Sequence, residues 1–336
     1  MAKVAMIQVV YNSLKYIPMV FPAALEQTFK DIQFYAVIAG NSDKSKEYIQ
    51  EHFPSVKIID PGYNIGFAKG HNELFRTIDA EFFQLINPDL IITPTFVEEM
   101  LKPFQENSHV GAVSGKIFRY DFQNNQPTNQ IDTTGVTMSK SGRGRDRGQH
   151  EIDAGQYDSQ NNLIAVSGAA AMYRKTALED VKYLRSKDAG GRVEYFDEDF
   201  HTYWEDVDLS WRMVNFGWKI EFAPKAVAYH GRAAASSPGG YKKIWSFIEH
   251  HRQIPLQVRQ WNYKNHLYLF IKNSPKWYWQ FFVRELIYQY FVLLLEPGTL
   301  RIVPTFFRQL PSILKKRKYI RQHRKVSVED MEKLFT

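Results

Sequence analysis

The stretch Tyr203-Trp204-Glu205-Asp206-Val207-Asp208-Leu209-Ser210-Trp211-Arg212 crowds carboxylates into positions 205, 206 and 208. The residues around them have the spacing of a helix. Val207, Trp211 and Val214 recur at i, i+4 and i+7, one apolar face, and Gly217 stands where such a helix stops. Asp208 and Arg212 are four apart with the acid first, the favourable order for a helix ion pair. Glu205 and Asp206 then fall in the first turn, where backbone N–H groups and the helix dipole favour negative charge. A carboxylate held ionised there can take a proton from a nucleophile. The plainer reading is an acidic helix start with a surface ion pair.

Asn87-Pro88-Asp89 is the second place where chemistry is readable. Pro88 fixes the backbone and blocks strand continuation, so Asp89 projects from a sheet edge. One carboxylate on a rigid turn can hold a divalent cation whose other ligands are water and substrate phosphates. The alternative is that Asp89 caps a helix beginning near Pro94.

The elements that must position these residues follow a strand, polar turn, helix, strand order. Val4 to Val10 is a nearly uninterrupted apolar run, as in a parallel strand buried on both faces. It ends at Tyr11-Asn12-Ser13, and a helix-like stretch follows through Glu26 and Phe29. Phe34 to Ile38 stops at Gly40-Asn41-Ser42-Asp43, and Val56 to Ile59 leads into Asn64-Ile65-Gly66-Phe67-Ala68-Lys69-Gly70-His71-Asn72. Glu81 to Ile86 stops at Asn87, and a further strand is expected from Leu163 to Ser167. This is the pattern of a doubly wound α/β sheet, whose ligands bind at the carboxyl ends of its strands, where each polar motif falls. The glycines around Phe67 suit a loop-to-helix turn that brings backbone to a phosphate.

Taken in order, these segments resemble the inverting family 2 glycosyltransferases of GT-A fold, most closely their rhamnosyltransferase-like branch. The likeness runs over residues 1–235 and also takes in Ser167-Gly168-Ala169-Ala170, Phe196-Asp197-Glu198-Asp199-Phe200 and Ala228-Tyr229-His230. It implies a Rossmann-like, mainly parallel sheet flanked by helices, and transfer of a sugar from a nucleotide-diphosphate donor. Asp206 would be the general base, with Glu205 in support. Asp89, with Asn87 in place of the first acid of the family's Asp-x-Asp motif, would meet the diphosphate and a divalent cation, Mg²⁺ or Mn²⁺. His230 matches a histidine near that metal. Tyr11, Asn12, Asn41, Asp43, Asn64, Gly66, Phe67 and Asn72 fall where the family binds the nucleotide, and Gly168 and Ala169 where it lines the donor sugar. Trp204 and Asp208 are expected on the acceptor side. In one departure, Ala39 and Gly40 replace the usual Asp-Asn, so the acid that recognises base or ribose is absent or supplied by Asp43.

Between these motifs, Ser141-Gly142-Arg143-Gly144-Arg145-Asp146-Arg147-Gly148 alternates glycine with arginine. It reads as a flexible cationic loop whose Arg143, Arg145 and Arg147 wrap phosphate oxygens of the donor or of a polyprenyl-diphosphate-linked glycan acceptor. A solvated charged loop is the alternative.

The chain of 336 residues has no cysteine, which excludes thiolate metal sites, disulfides and cysteine nucleophiles and suits a reducing, cytoplasmic compartment. It opens with a strand rather than a signal-peptide pattern. A net charge of +7 favours anionic partners. After a catalytic domain over residues 1–240, residues 241–336 are expected to form a helical, aromatic-rich and basic extension. Trp277 to Leu295 is aromatic and apolar, with Gln280, Arg284, Glu285 and Gln289 as a polar stripe. It is expected to lie in the interface of an anionic membrane, at the inner face of the plasma membrane, aided by basic residues from Arg301 to Lys325. Packing on the catalytic domain, or a homodimer contact, is the alternative. The chain up to Lys272 is expected to keep nucleotide binding on its own. Nucleic acid is not an expected partner, because the basic tail lacks a recognition motif.

The first-choice reaction is transfer of L-rhamnose from a thymidine-diphosphate donor to a polysaccharide or lipid-linked glycan. The rivals are a sugar-phosphate nucleotidyltransferase, which would carry a Gly-rich basic loop at Tyr11-Asn12-Ser13, and an inactive membrane-binding module with a degenerate transferase domain.

Overall fold

The computed structural model describes residues 2–184, 191–231 and 254–336. Its strands are β1 (Val4–Tyr11), β2 (Ile32–Gly40), β3 (Lys57–Ile59), β4 (Phe82–Leu85), β5 (Leu90–Ile92), β6 (Val110–Asp121), β7 (Gln126–Thr133), β8 (Val136–Met138), β9 (Gly144–Asp146), β10 (Ala171–Arg174), β11 (Tyr183–Leu184), β12 (Val193–Glu194) and β13 (Lys219–His230). The main sheet runs β3-β2-β1-β4-β10-β6-β13-β5, with β7 added to β6. Pairing is parallel from β3 to β4 and between β6 and β13, while β10 and β5 run against their neighbours.

The apolar run of β1 has a simple cause. Val4, Met6 and Val10 pack into a core on one face of the sheet, and Ala5 and Ile7 into a core on the other. A strand covered on both sides has no position left for a polar face. Helices α1 (Ile17–Leu25) and α4 (Phe96–Glu106) cover the first face, and α3 (Phe67–Thr77), α5 (Lys175–Val181) and α6 (Glu205–Asn215) the second. Helix α2 (Ser45–His52) follows β2.

Leu163 to Ser167 differs from its expected strand. Leu163, Ile164, Ala165 and Val166 are buried, but Ala165 makes only an isolated bridge to Val136. Apolar burial alone does not separate a strand from a packed extended segment.

The C-terminal helices are α7 (Leu256–Asn273), α8 (Trp279–Leu295), a 3₁₀ turn at Pro297–Ile302, α9 (Val303–His323) and α10 (Val328–Lys333). The expected domain boundary at 240/241 lies outside the described residues. The helices after it share the catalytic core: Tyr268, Leu269, Phe270, Phe281 and Ile313 belong to the same cluster as Phe75, Phe196 and Trp211. Charge reinforces the joint. Lys272 of α7, fully buried, contacts Asp197 and lies 2.9 Å from Asp208, and Lys316 of α9 contacts Asp197 and lies 2.8 Å from Asp199. A chain ending near Lys272 would leave Asp197 without one of its two cations.

Helix α8 has its amphipathicity turned around. The expected polar stripe faces the protein: Glu285 Oε2 lies 2.9 Å from His266 Nε2, Gln289 Oε1 accepts from the Tyr263 hydroxyl at 2.5 Å, and Arg284 donates to the carbonyls of Ser141 and Gly142. Phe282, Leu286, Ile287, Tyr290 and Leu293 face outward, Leu286 at 73% exposure. Among the described residues no single helix is long and apolar enough to cross a membrane. The pair Trp279–Leu295 and Pro297–His323, bent by 109°, passes that test only together.

Candidate active site

A cleft of about 680 Å³ opens at the carboxyl ends of β1 and β4 and is closed on its far side by the start of α6. Three of the four residues leading into α6 prepare that start. His201, Tyr203 and Trp204 all have left-handed backbone, with φ of 67°, 68° and 73°, and Trp204 is the N-cap residue with no side-chain cap bond. Left-handed bulky residues are strained and persist only where their surroundings enforce them.

Asp206 lines the cleft. Its Oδ2 accepts from the Gly168 N–H at 2.5 Å and its Oδ1 from the Val207 N–H at 2.8 Å. Glycine suits this approach, since a Cβ on residue 168 would stand 3.0 Å from Asp206 Oδ2 and would press the carboxylate back by a few tenths of an ångström. Burial raises the Asp206 carboxyl, the two backbone N–H groups pull it back, and it settles at about 6. Glu205 is driven further up, first by burial and then by the charge of Asp206. Its Oε2 is buried without a hydrogen-bond partner. Both carboxyls are thus raised, Glu205 the further of the two, so Asp206 is the member of the pair that gives up its proton first as pH rises.

Across the cleft, Asp89 Oδ1 lies 3.2 Å from His230 Nε2, and His230 Nδ1 lies 2.9 Å from Asp132 Oδ2. Arg119 Nε pairs with the other Asp132 oxygen at 3.0 Å. Burial disfavours the charged imidazole, but hydrogen bonds to Asp132 and Asp89 outweigh it and push His230 up to about 9. Residues 168–169 link the two centres, because the Ala169 carbonyl accepts from the Asn87 N–H at 2.9 Å while the Gly168 N–H meets Asp206.

A cation drawn to Asp89 would have to displace the proton that Asp89 and Asp132 help His230 to keep; with that proton gone, the carboxylate and the imidazole, the latter oriented by Asp132, form a donor set able to hold a divalent cation. Among the described residues there is no group of three or more ligating side chains, so water and substrate phosphates would complete the sphere.

Tyr11, Asn12, Phe67, Asn87, Gly168, Ala169, Arg145 and Trp204 line the cleft as expected from their motifs. Others are committed elsewhere. Asp43 accepts from the Leu14 N–H at 2.7 Å and from Ser45, and although burial raises it, the Ser45 hydroxyl and these N–H groups hold it below the ordinary range. Asn41 bonds Glu47 and the Lys46 N–H, so both residues brace the turn into α2. Asn64 accepts from the Gly66 N–H, shaping the turn into α3. Asn72 is fully buried and bonds Tyr195, Phe196 and Glu198.

Asp208 is neither on the acceptor side nor in a surface ion pair. It is fully buried with Arg212, Lys272 and Asn273, because every face of α6 is covered.

The arginine stretch is an ordered β8–β9 hairpin rather than a flexible loop. Arg147 is buried, donating to Thr134 and the Gln160 carbonyl and stacking on Tyr157 and Phe222, so it is unavailable to phosphate. Arg143 is exposed near Arg145 and Arg284; burial and then their charges weaken its hold on its proton.

Three residues in this constellation carried no signal in the sequence. Asp132 and Arg119 are ordinary strand residues until His230 arrives, and Asp146, which lines the cleft, sits hidden between two arginines.

The family model described as Glycosyl transferase family 2 matches residues 6–182. The chain is similar to the poly-beta-1,6-N-acetyl-D-glucosamine synthase of Staphylococcus epidermidis, 22% identical over 225 residues, 65% of this chain and 47% of that protein. It is also similar to the N-acetylglucosaminyl-diphospho-decaprenol L-rhamnosyltransferase of Mycobacterium tuberculosis, 24% identical over 215 residues, 58% of this chain and 64% of that protein. The chain thus spans about half the length of the first and under two thirds of the second. Among solved structures it is similar to GalNAc-T7 with UDP, GalNAc and Mn²⁺, with a TM-score of 0.54 at 10% identity, covering 89% of this chain and 58% of that one. S. aureus TarS 1–349 in complex with UDP-GlcNAc gives 0.50 at 14% identity, covering 98% and 89%. At such identities the likeness is one of fold, and the fold is GT-A.

Proposed function

The chain belongs to Glycosyl transferase family 2, and from that premise we propose that it transfers a sugar from a nucleotide-diphosphate donor to a glycan hydroxyl with inversion. The observation that carries this reading is Asp206, held by two backbone N–H groups, across one cleft from Asp89 and His230. The acceptor oxygen attacks the anomeric carbon, the bond from that carbon to the diphosphate breaks, and its electron pair leaves with the diphosphate. The acceptor proton passes to an Asp206 oxygen. Single displacement needs no carboxylate nucleophile. Protonated Glu205 adds no second negative charge beside the base. Asp89 and His230 would hold a divalent cation, Mg²⁺ or Mn²⁺, which when bound neutralises charge on the departing diphosphate. Tyr11, Asn12 and Phe67 would flank the nucleotide.

The rhamnosyltransferase relative supports L-rhamnose from a thymidine-diphosphate donor as the first to test, and the UDP-GlcNAc complex of TarS supports a uridine arm beside it. Arg143 and Arg145 would meet phosphate of a lipid-linked acceptor, the acceptor class that the same relative's name prints.

The test is Asp206→Asn, assayed as nucleoside-diphosphate release from dTDP-L-rhamnose and UDP-N-acetylglucosamine, alongside nucleotide binding. Turnover is expected to fall by about 100-fold or more with binding intact. Wild-type turnover would overturn the assignment.

A second reading concerns place. The outward apolar face of α8 favours contact with an anionic membrane at the cytoplasmic face of the plasma membrane, because the polar stripe that would otherwise meet water is already bonded to the protein. Basic residues of α9, among them the exposed Lys315, Lys318 and Arg321, would lie beside anionic headgroups.

A further inference from the structure

We propose that Asn265 of α7, together with Asn262 one turn earlier, is the positioning device that holds the base of this transferase in place. The proposal rests on the reading of Asp206 as base. Asn265 is fully buried, and its amide Nδ2 donates to three consecutive-loop carbonyls: Phe200 at 3.0 Å, Thr202 at 2.8 Å and Tyr203 at 2.9 Å. An amide carries two N–H bonds, so at least one is shared between two of the carbonyls. The neighbouring turn of α7 adds to the grip. Asn262 Oδ1 accepts from the Trp204 indole N–H at 3.0 Å, and the Trp261 ring lies 4.7 Å from that of His201.

Together these contacts clamp His201, Tyr203 and Trp204, left-handed residues among the four that precede Glu205 and Asp206. Such backbone is costly on its own and has no glycine to relieve it. Trp204 supplies no capping side chain to α6, so the register of the first turn, and with it the position of Asp206, depends on this external hold. The Oδ1 of Asn265 is buried without a partner. That is the arrangement expected where a side chain is kept for its donor end, since a structural asparagine ordinarily satisfies both ends. Neither asparagine touches Asp206 or needs to. Both act through the loop.

The experiment uses the full chain with Asn265→Ala and Asn262→Leu, with Asp206→Asn as control. Turnover is read as nucleoside-diphosphate release from dTDP-L-rhamnose and UDP-N-acetylglucosamine, with water as acceptor, and hydrogen exchange is followed at amides 201–207. For Asn265→Ala we expect kcat to fall at least tenfold at nearly unchanged donor KM, and the acid limb of the pH profile to move toward the ordinary aspartate range as water reaches Asp206. Amides 201–207 should exchange at least tenfold faster, while those of β1 and β4 stay as in the wild type. Asn262→Leu should shift each quantity the same way by less. A folded Asn265→Ala protein with wild-type kcat, acid limb and exchange overturns the proposal. Should that variant fail to fold, Asn262→Leu and Trp204→Phe decide by the same readouts. If Asp206→Asn itself turns over normally, the base reading falls. If it is inactive while the asparagine variants behave as wild type, only the positioning role falls.

Discussion

Glu205 and Asp206 are neighbours in sequence and opposites in environment, and their difference should be visible in rate. Only the ionised Asp206 can accept a proton, so kcat should fall with acidification through about pH 6 instead of near the ordinary aspartate value. Glu205→Gln keeps a neutral side chain and should cost much less than Asp206→Asn. A pH profile flat to pH 4.5 would remove Asp206 from the role. Asp89→Ala should weaken nucleotide binding in the presence of Mg²⁺ or Mn²⁺, and chelator should do the same to the unaltered protein, both measured by calorimetry. Equal affinity with and without metal would count against a cation between Asp89 and His230. The two acids were legible in the sequence because each follows a local motif that fixes its backbone: a proline turn for Asp89, a helix start for Asp206. Asn72, Asp208 and Arg147 were misplaced for the converse reason. A polar residue type does not reveal whether its partners are ligand atoms or backbone atoms more than a hundred residues away, as Phe196 is from Asn72.

At the scale of elements, the hairpin β8–β9 packs closely against Trp204, the N-cap residue of α6. A Cβ on Gly144 would stand 2.7 Å from the Trp204 ring, so Gly144→Ala must move the indole or the hairpin. Transfer should slow by on the order of tenfold or more, as expected for misplacing catalytic groups by a fraction of an ångström to an ångström. Nucleotide binding, which we assign to residues at the ends of β1 and β4 and the start of α3, should persist. Unchanged turnover would mean that the hairpin yields freely. The central strands were readable from composition because both faces of β1 are buried. The hairpin was not. Its glycines and arginines look like a solvated loop until Arg147 is seen donating to Thr134 and Arg284 donating across to the turn.

At the scale of the whole molecule, the C-terminal helices are both a scaffold and a surface. Lys316→Met should destabilise the fold by about 3 kcal/mol, the usual cost of stripping a partner from a buried charge, read as a shifted denaturation midpoint. The exposed Lys318→Met should leave it unchanged. Equal effects would mean that the network with Asp197 and Asp199 carries no special weight. The outer face is separable from this. Phe282→Glu with Leu286→Glu should abolish co-sedimentation with anionic vesicles and spare the fold, because both side chains already stand in solvent. Sedimentation that persists would assign the face to something other than lipid. Sequence periodicity found the amphipathic helix, yet its orientation was not legible, since only His266 and Tyr263 reveal that the polar stripe is turned inward.

The charge network also sets an order of events during synthesis. Asp197 and Asp208 belong to the segment that carries the base, yet their cations lie 75 and 64 residues further on, at Lys272, and 119 residues further on, at Lys316. Until α9 has been made, Asp208 already has Arg212 beside it but Asp197 lacks Lys316, so the charges around α6 are only partly balanced. A stalled or clipped polypeptide is therefore expected to hold the base-bearing segment less firmly than the chain that has reached Lys316.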